Sequence, residues 1–312
     1  MPKVSIIIPT HHRPHFLQRA IASALNAGSD VEVIVVDDAS RDDTSSVCRS
    51  IAGIKYIRLD HNQGTAGARN VGILASTAQF IAFLDDDDLR LPGSLDLQVA
   101  ALDRNSAAGF VCGAMIMADQ DGAPTAEVLG PTWASGDVFW RLLELDFPVL
   151  PLSVVIRKEC FSKVGLLNTE LQGIDDWDLF VRIAELYPVL VLAEPVGIYR
   201  KPTASSGQLS SAQAQHLSRA ARHLSCLLEL PRVRSLAPKD RDALQSRALN
   251  RIADTLLWHA REATNKGSYK FAVNNVVSSL WIAPKRTLTH VTYRNLGPIL
   301  FNQKLGASNL DH

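Results

Sequence analysis

A chain of 312 residues, 46% hydrophobic and 21% charged, has the composition of an ordinary globular protein and the length of one large domain carrying an appendage. Its net charge is zero but unevenly split: residues 208–312 hold 15 Lys/Arg against 6 Asp/Glu, a net of +9, and the other 207 residues hold 17 against 26, a net of −9. The four cysteines, Cys48, Cys112, Cys160 and Cys226, lie 64, 48 and 66 residues apart, which excludes a CxxC or zinc pattern and reads as small core residues in a reducing cytosol.

The first segment, MPKVSIIIPTHHR, has too short an apolar run for a signal-peptide core. No run of about 18 apolar residues follows it, so no membrane-spanning helix is expected and the cytoplasm is the expected location. Val4 to Ile8 is a β-branched run ending at Pro9, the pattern of a strand buried on both faces. Phe16, Leu17, Ala20, Ile21, Ala24 and Leu25 then recur at helical spacing up to Gly28. VEVIVVDD is a second buried strand ending in Asp37 and Asp38, with Ser40 and Asp42 or Asp43 available to cap the helix that carries Val47 and Ile51.

Ile54 to Leu59 is a third strand, Asn62 to Gly67 a glycine-rich loop, Ala68 to Ser76 a helix and Gln79 to Leu84 a fourth strand. This alternation predicts βαβ units, a parallel sheet and right-handed crossovers. In such sheets functional groups gather at the carboxyl ends of strands, which here are Pro9-Thr10-His11, Asp37-Asp38 and Asp85 to Asp88.

From residue 109 the pattern changes to a strand, a turn at Asp121-Gly122, a helix over 137–145 and a strand and short helix in SVVIRKECF. A helix from Trp177 to Leu186 is capped by Asp175 or Asp176, with Asp178 a solvated residue on it. Val189–Leu192 and Gly197–Arg200 read as two closing strands, and 203–212 as a Ser/Gln/Ala-rich linker. Three apolar helical stripes follow: Leu217 to Leu228, Leu244 to Leu257, and Phe271, Ala272, Val276, Val277, Leu280 and Trp281.

Four consecutive carboxylates, Asp85, Asp86, Asp87 and Asp88, repel one another at a strand end unless they are solvated or face positive charge. Clustered oxygen ligands select hard cations, Mg²⁺ or Mn²⁺, and Mg²⁺ sites commonly join one or two carboxylates to substrate phosphates. The two readings are a solvated acidic turn and a metal-bridged nucleotide site.

VSIIIPTHHR, VIVVDDAS, NQGTAGARNVG, FIAFLDDDDL and GIDDWDLFVRI, in this order, resemble the motifs of family 2 glycosyltransferases of bacterial type, which are inverting enzymes of the GT-A fold. The resemblance covers residues 3–203 and implies an α/β fold with a mainly parallel nucleotide-binding sheet flanked by helices. It divides the domain into a nucleotide-sugar half at about 1–108 and an acceptor half at about 109–203, followed by a helical region over 204–312.

The resemblance also implies site roles. Pro9, Thr10, His11 and Arg13 line the nucleotide pocket, with His11 in place of the common Tyr or Asn. Asp38 holds uracil and ribose, and Gly67, Arg69, Asp85 and Asp86 contact the donor. Asp87, together with Asp85, binds a divalent cation, Mn²⁺ or Mg²⁺, and Asp88 lies behind it. Asp176 is the catalytic base, and Asp175, Trp177 and Arg200 are diphosphate or acceptor contacts.

The implied reaction moves a sugar from a nucleotide sugar, a UDP-sugar, to a saccharide or lipid-linked acceptor in surface polysaccharide or glycolipid synthesis. A nucleotidyltransferase fits less well, because the first loop, PTHHRPH, lacks glycine. A catalytically inactive scaffold relative fits less well because Asp38, Asp87 and Asp176 are all present. No nucleic-acid partner is expected, since the basic tail interleaves Leu stripes rather than aromatic platforms. The basic tail, including SLWIAPKRTLTHVTYRN and its Arg294, is expected either to meet an anionic membrane on its inner face or to pack on the catalytic domain. The sugar, the acceptor and the oligomeric state are open.

Overall fold

A computed structural model of the chain describes residues 1–146, 149–201 and 213–290. It divides into two compact units, residues 1–142 with 147–211, and residues 143–146 with 212–312.

The first unit is built on strands β1 (Val4–Thr10), β2 (Val31–Asp37), β3 (Ile54–Arg58), β4 (Phe80–Phe83), β5 (Leu89–Arg90), β6 (Phe110–Ala118), β7 (Pro124–Leu129), β8 (Val154–Arg157) and β9 (Val189–Arg200). The helices between them are α1 (Pro14–Leu25), α2 (Thr44–Ser50), α3 (Gly64–Ala75), α4 (Ser94–Arg104), α5 (Phe139–Leu143), α6 (Cys160–Val164) and α7 (Asp175–Leu186). The strands form one sheet in the order β3-β2-β1-β4-β8-β6-β9-β5, with β7 paired to β6. The half from β3 to β4 is wholly parallel.

Every residue of β1 is buried, and Ile7 lies in register between Ile34 of β2 and Phe83 of β4. A strand sandwiched in this way needs apolar groups on both faces, which is why VSIIIPT lacks the alternation of a half-exposed strand. The second half of the sheet is mixed: β8 runs antiparallel to β4 and β6, while β9 runs parallel to β6.

Three elements differ from expectation. The two closing strands are one, β9, which passes through Pro195 without breaking. Its pairing with β6 shifts register between Cys112 and Met115, and a side chain on Gly113 would lie 2.5 Å from Val196 Cγ1. A bulge opposite a small residue is one of the few places where an inner strand tolerates proline. Helix α3 begins at Gly64, inside the expected loop. The helix expected over 137–145 is only Phe139–Leu143.

The second unit is helical: α8 (Gln213–Leu227), α9 (Pro231–Arg234), α10 (Pro238–Asn265), α11 (Tyr269–Ile282) and α12 (Pro284–His290). Pro231 and Pro238 stand in first turns, where the missing N–H costs nothing. Leu224, Leu227, Leu244, Ala248, Ile252 and Leu256 are buried, as the first two stripes require. The third stripe is not buried in this way. Val277 is 45% exposed and Trp281 85%, and Phe271 and Leu280 are exposed as well. The expected linker 203–212 and Arg294 lie outside the described residues.

Helix α3 packs tightly on β1. A Cβ on Gly72 would lie 2.3 Å from Cγ2 of the fully buried Ile7. Gly→Ala inside a helix ordinarily stabilises by up to about 1 kcal/mol. Here overpacking outweighs that gain, so Gly72→Ala is expected to destabilise by about 1–3 kcal/mol in urea unfolding, and an unchanged or raised midpoint would contradict the close approach.

Candidate functional site

The carboxyl ends of β1, β2 and β4 and the first turn of α7 carry the candidate residues. After β2, Asp37 is fully buried. It accepts a 2.6 Å hydrogen bond from Tyr56 Oη and a 2.8 Å bond from the Ser40 amide, and Arg58 Nε lies 3.7 Å away. These contacts hold a turn in which Ala39 takes φ 63°, so that Asp38 reaches across to α3. Asp38 Oδ1 accepts from the Gln63 amide at 2.7 Å and Oδ2 from the Gly64 amide at 2.9 Å. The start of α3 is thus satisfied by a carboxylate some 25 residues earlier in the chain, which is why the helix begins before the expected position.

In the first loop, Pro9 and Thr10 are buried strand residues, whereas His11 is exposed with its ring 4.1 Å from that of His12. Thr10 Oγ1 donates to Asp86 Oδ2 at 2.8 Å. Arg13 Nη1 lies 3.3 Å from Asp86 Oδ1 and 3.2 Å from Asp87 Oδ2. Gly67, within α3, sits against the Gln63 side chain, where a Cβ would come to 2.5 Å.

Most of the acidic loop after β4 is answered by arginines. Asp85, the most open of the four with its side chain 39% exposed, pairs with Arg69 Nη2 at 2.6 Å. Asp87 Oδ2 is shared by Arg13 and by Arg200 Nη2, the latter at 2.6 Å. Asp88 Oδ1 accepts from the Arg200 amide at 2.9 Å. The Arg200 guanidinium lies 4.3 Å from the Phe16 ring centroid, a cation–π geometry. Burial, and then the neighbouring Asp87 charge, push Asp86 up to about 7 against the opposing pull of Arg13 and Thr10. Burial also raises Asp88, followed by the charges of Asp87 and Asp85.

Arg69 makes the connection to α7. Its Nη2 holds Asp85 and its Nη1 lies 3.4 Å from Asp175 Oδ2, while Phe83 lies 5.4 Å from the guanidinium. Arg69 is 4% exposed and its Nε is a buried donor without a protein partner. The next residue, Asn70, bonds Leu167 twice, to its carbonyl at 2.8 Å and from its amide at 3.0 Å, and so fixes the loop that leads into α7. In the sequence, Arg69 and Asn70 both read as the start of a helix near the donor, but the tie from Asn70 to Leu167 was not foreseen. The position of Asn70 beside Arg69 at the start of the helix was the available signal.

Ile174, not an aspartate, occupies the N-cap of α7. Asp175, Asp176 and Asp178 lie in the first turn, where the helix dipole favours negative charge. Asp176 Oδ1 accepts the Trp177 amide at 2.8 Å. Burial, then the Asp175 charge, push Asp176 up to about 7, with Arg69 acting in the opposite direction. Asp175 is raised by burial and held back by Arg69. Asp178 is not solvated: it is buried and paired with Arg182 at 2.6 Å. Trp177 is buried, and its indole Nε1 donates to the Leu142 carbonyl at 2.7 Å, so the ring is a packing element of this unit.

The arrangement brings together Thr10, Arg13, Asp85 to Asp88, Arg200, Arg69, Asp175 and Asp176, with Asp38 at its margin anchoring α3. Among the described residues, no three His, Cys, Asp or Glu side chains are grouped as metal ligands.

Residues 5–142 match the family model described as Glycosyl transferase family 2. Over 101 residues the chain is 43% identical to the GalNAc(5)-diNAcBac-PP-undecaprenol beta-1,3-glucosyltransferase of Campylobacter jejuni, a match covering 30% of this chain and 33% of that protein. It is 28% identical to the succinoglycan biosynthesis protein ExoO of Rhizobium meliloti, over 82% of this chain and 72% of ExoO. The chain therefore spans about a third of the first of these relatives. Among solved structures it superposes on TarS residues 1–349 of S. aureus with a TM-score of 0.63 at 18% identity, over 91% of this chain and 82% of that one. It superposes on the mannosyltransferase PcManGT of Pyrobaculum calidifontis, solved with GDP-Man and Mn²⁺, with a TM-score of 0.57 at 18% identity, over 90% and 87%. The fold is of GT-A type.

The double hydrogen bond of Asp38 has a measurable consequence without any ligand. Asp38→Ala is expected to lower unfolding free energy by about 0.5–2 kcal/mol, the usual effect of losing a helix-capping carboxylate. An unchanged denaturation midpoint would show that Asp38 does not support the start of α3.

Proposed function

We propose, from the match of residues 5–142 to the model of glycosyl transferase family 2, that this domain transfers a sugar with inversion from a nucleotide sugar, a UDP-sugar, to a hydroxyl of a saccharide or lipid-linked acceptor. The observation that carries the reading is the Arg69 bridge. It joins Asp85, in the acidic loop after β4, to Asp175, beside the candidate base Asp176. An inverting displacement needs the donor's leaving group and a proton acceptor on opposite sides of one anomeric carbon, and the bridge ties together the two elements that would supply them.

In this mechanism the acceptor hydroxyl loses its proton to Asp176 as its oxygen bonds to the anomeric carbon and the bond from that carbon to the diphosphate oxygen breaks. Oδ1 of Asp176 is held by the Trp177 amide, which leaves Oδ2 for the proton. A carboxylate held near 7 is matched to this task at neutral pH. Arg13 and Arg200, both on Asp87, place two cations where a diphosphate would be received.

The residues fit a divalent cation, Mn²⁺ or Mg²⁺. Asp85 is partly open, Asp87 keeps Oδ1 outside its arginine pairs, and two carboxylates completed by substrate phosphate oxygens are a normal donor set for a hard ion. Bound there, the cation would offset the charge that develops on the departing diphosphate. The setting is assembly of surface polysaccharide or glycolipid at the inner face of the cytoplasmic membrane. The names of the Campylobacter and Rhizobium relatives support that setting.

Asp176→Asn keeps the bond to the Trp177 amide but cannot accept the proton. Turnover is expected to fall by about 10²-fold or more, with donor affinity nearly unchanged. Because the base acts ionised, wild-type kcat/KM should rise with pH through about 7, and this limb should vanish in Asp176→Asn. Wild-type turnover by the variant would move the base elsewhere. Asp87→Ala should abolish the Mn²⁺-dependent rise in melting temperature on adding UDP, and an undiminished rise would remove Asp87 from the cation site.

A further inference from the structure

Helix α11 is built inside out. Its buried residues are Ala272, Asn275 and Ser279, and its exposed ones include Val273, Val277, Leu280 and Trp281. Residues 273, 277, 280 and 281 fall on one face by helical spacing, while 272, 275 and 279 fall on another. An ordinary surface helix does the reverse. Ser279 is used between helices, its Oγ lying 2.6 Å from Thr287 Oγ1 of α12 and 3.3 Å from the Ala253 carbonyl of α10, whereas Asn275 Nδ2 donates to the Phe271 carbonyl of its own helix and its Oδ1 is buried without a protein partner. Small and polar residues between helices with apolar residues outside is the arrangement helices adopt against lipid.

The charges that α11, the turn before it and α12 carry have one sign. Residues 266–290 contain no Asp or Glu, and Lys266, Lys270 and Lys285 are exposed with no carboxylate partner among the described residues. Arg286 is paired with Asp254 and so does not add to the set. A second copy of the chain related by a two-fold axis would set these lysines against one another, whereas an anionic surface would meet all three. Length decides between spanning and lying flat. With 14 residues, α11 is about 21 Å long against a hydrocarbon core of about 30 Å, and no described helix is long and apolar enough to cross a membrane.

We propose that the outward face of α11, with Val273, Val277, Leu280 and Trp281 flanked by Lys266, Lys270 and Lys285, docks in the plane of an anionic lipid surface. This rests on the lipid-linked form of the acceptor in the reading above, and it names the structure that would bring the enzyme to that acceptor. Trp281 would sit at headgroup depth with its ring in the acyl boundary, and the lysines would reach lipid phosphates on flexible stems.

The test is flotation of the full chain with vesicles of phosphatidylcholine containing phosphatidylglycerol, and with vesicles of phosphatidylcholine alone. The full chain should float with the anionic vesicles, release as salt rises and leave the neutral ones. Trp281→Ala and Val277→Glu, both at exposed positions, should each weaken flotation by about tenfold or more, as expected for removing apolar contact or adding an anion at such a face. Equal flotation by wild type and both variants overturns the proposal. So does a wild type that ignores anionic vesicles but is a dimer in solution that Val277→Glu dissociates, which would make the face an interface between copies. The UDP thermal shift is run on the same proteins. Retained in Val277→Glu, it shows a folded catalytic domain behind lost flotation, and its absence from the wild type would count against the donor site while leaving the flotation result to stand alone.

Discussion

The site depends on one buried cation. Arg69 is withdrawn from water, and the carboxylates of Asp85 and Asp175 replace hydration at its two terminal nitrogens. A buried charge that loses its partner typically destabilises a protein by about 3–5 kcal/mol, so each of the three groups constrains the other two. Arg69 can reach both because α3 lies close against the sheet. Gly72 admits Ile7 of β1 where any side chain would collide, and Asp38 fixes the start of the helix. Asn70 adds a second tie from α3 to the loop before α7. One helix therefore sets the distance between the acidic loop and the candidate base.

Electrostatic balance explains how four adjacent aspartates coexist at a strand end. Arg13, Arg69 and Arg200 come from three distant parts of the chain, and each contacts the loop. The compensation is incomplete, and the remainder appears as raised proton affinity at Asp86 and Asp88, the two most buried members. The same physics acts at α7, where burial and the Asp175 charge lift Asp176 while Arg69 limits the rise. A site of this kind is tuned by how much positive charge it contains, so an arriving diphosphate and its counter-cation would change every proton affinity in it.

Much of the parallel half was legible in the sequence, because strands buried on both faces must be runs of Val, Ile and Phe and their ends must carry the polar groups. What was not legible depended on contacts between distant residues. The start of α3 is set by Asp38, which no local pattern around Gly64 reveals. The continuity of β9 through Pro195 depends on a bulge opposite Gly113 in another strand. Arg182 stands one turn after Asp178 on the expected helix, so that pair was legible, but its withdrawal from water depends on the distant carbonyls of Val164 and Leu166, which hold Arg182 over it. The third C-terminal stripe had correct helical spacing, but spacing says which residues share a face and not which way the face points. Ser279 is accommodated on the inside because it and Thr287 satisfy one another there.

The central claim is that Arg69 couples the acidic loop to a base whose proton affinity it restrains. Carbon-13 titration of the aspartate carboxyl groups measures this directly, with the Asp176 resonance identified by its loss in Asp176→Asn. The account predicts a carboxyl titrating near 7 in the wild type and at higher pH in Arg69→Gln, since removing the cation favours the neutral acid. An Asp176 carboxyl that titrates in the ordinary range near 4, or one that Arg69→Gln leaves unmoved, would contradict it.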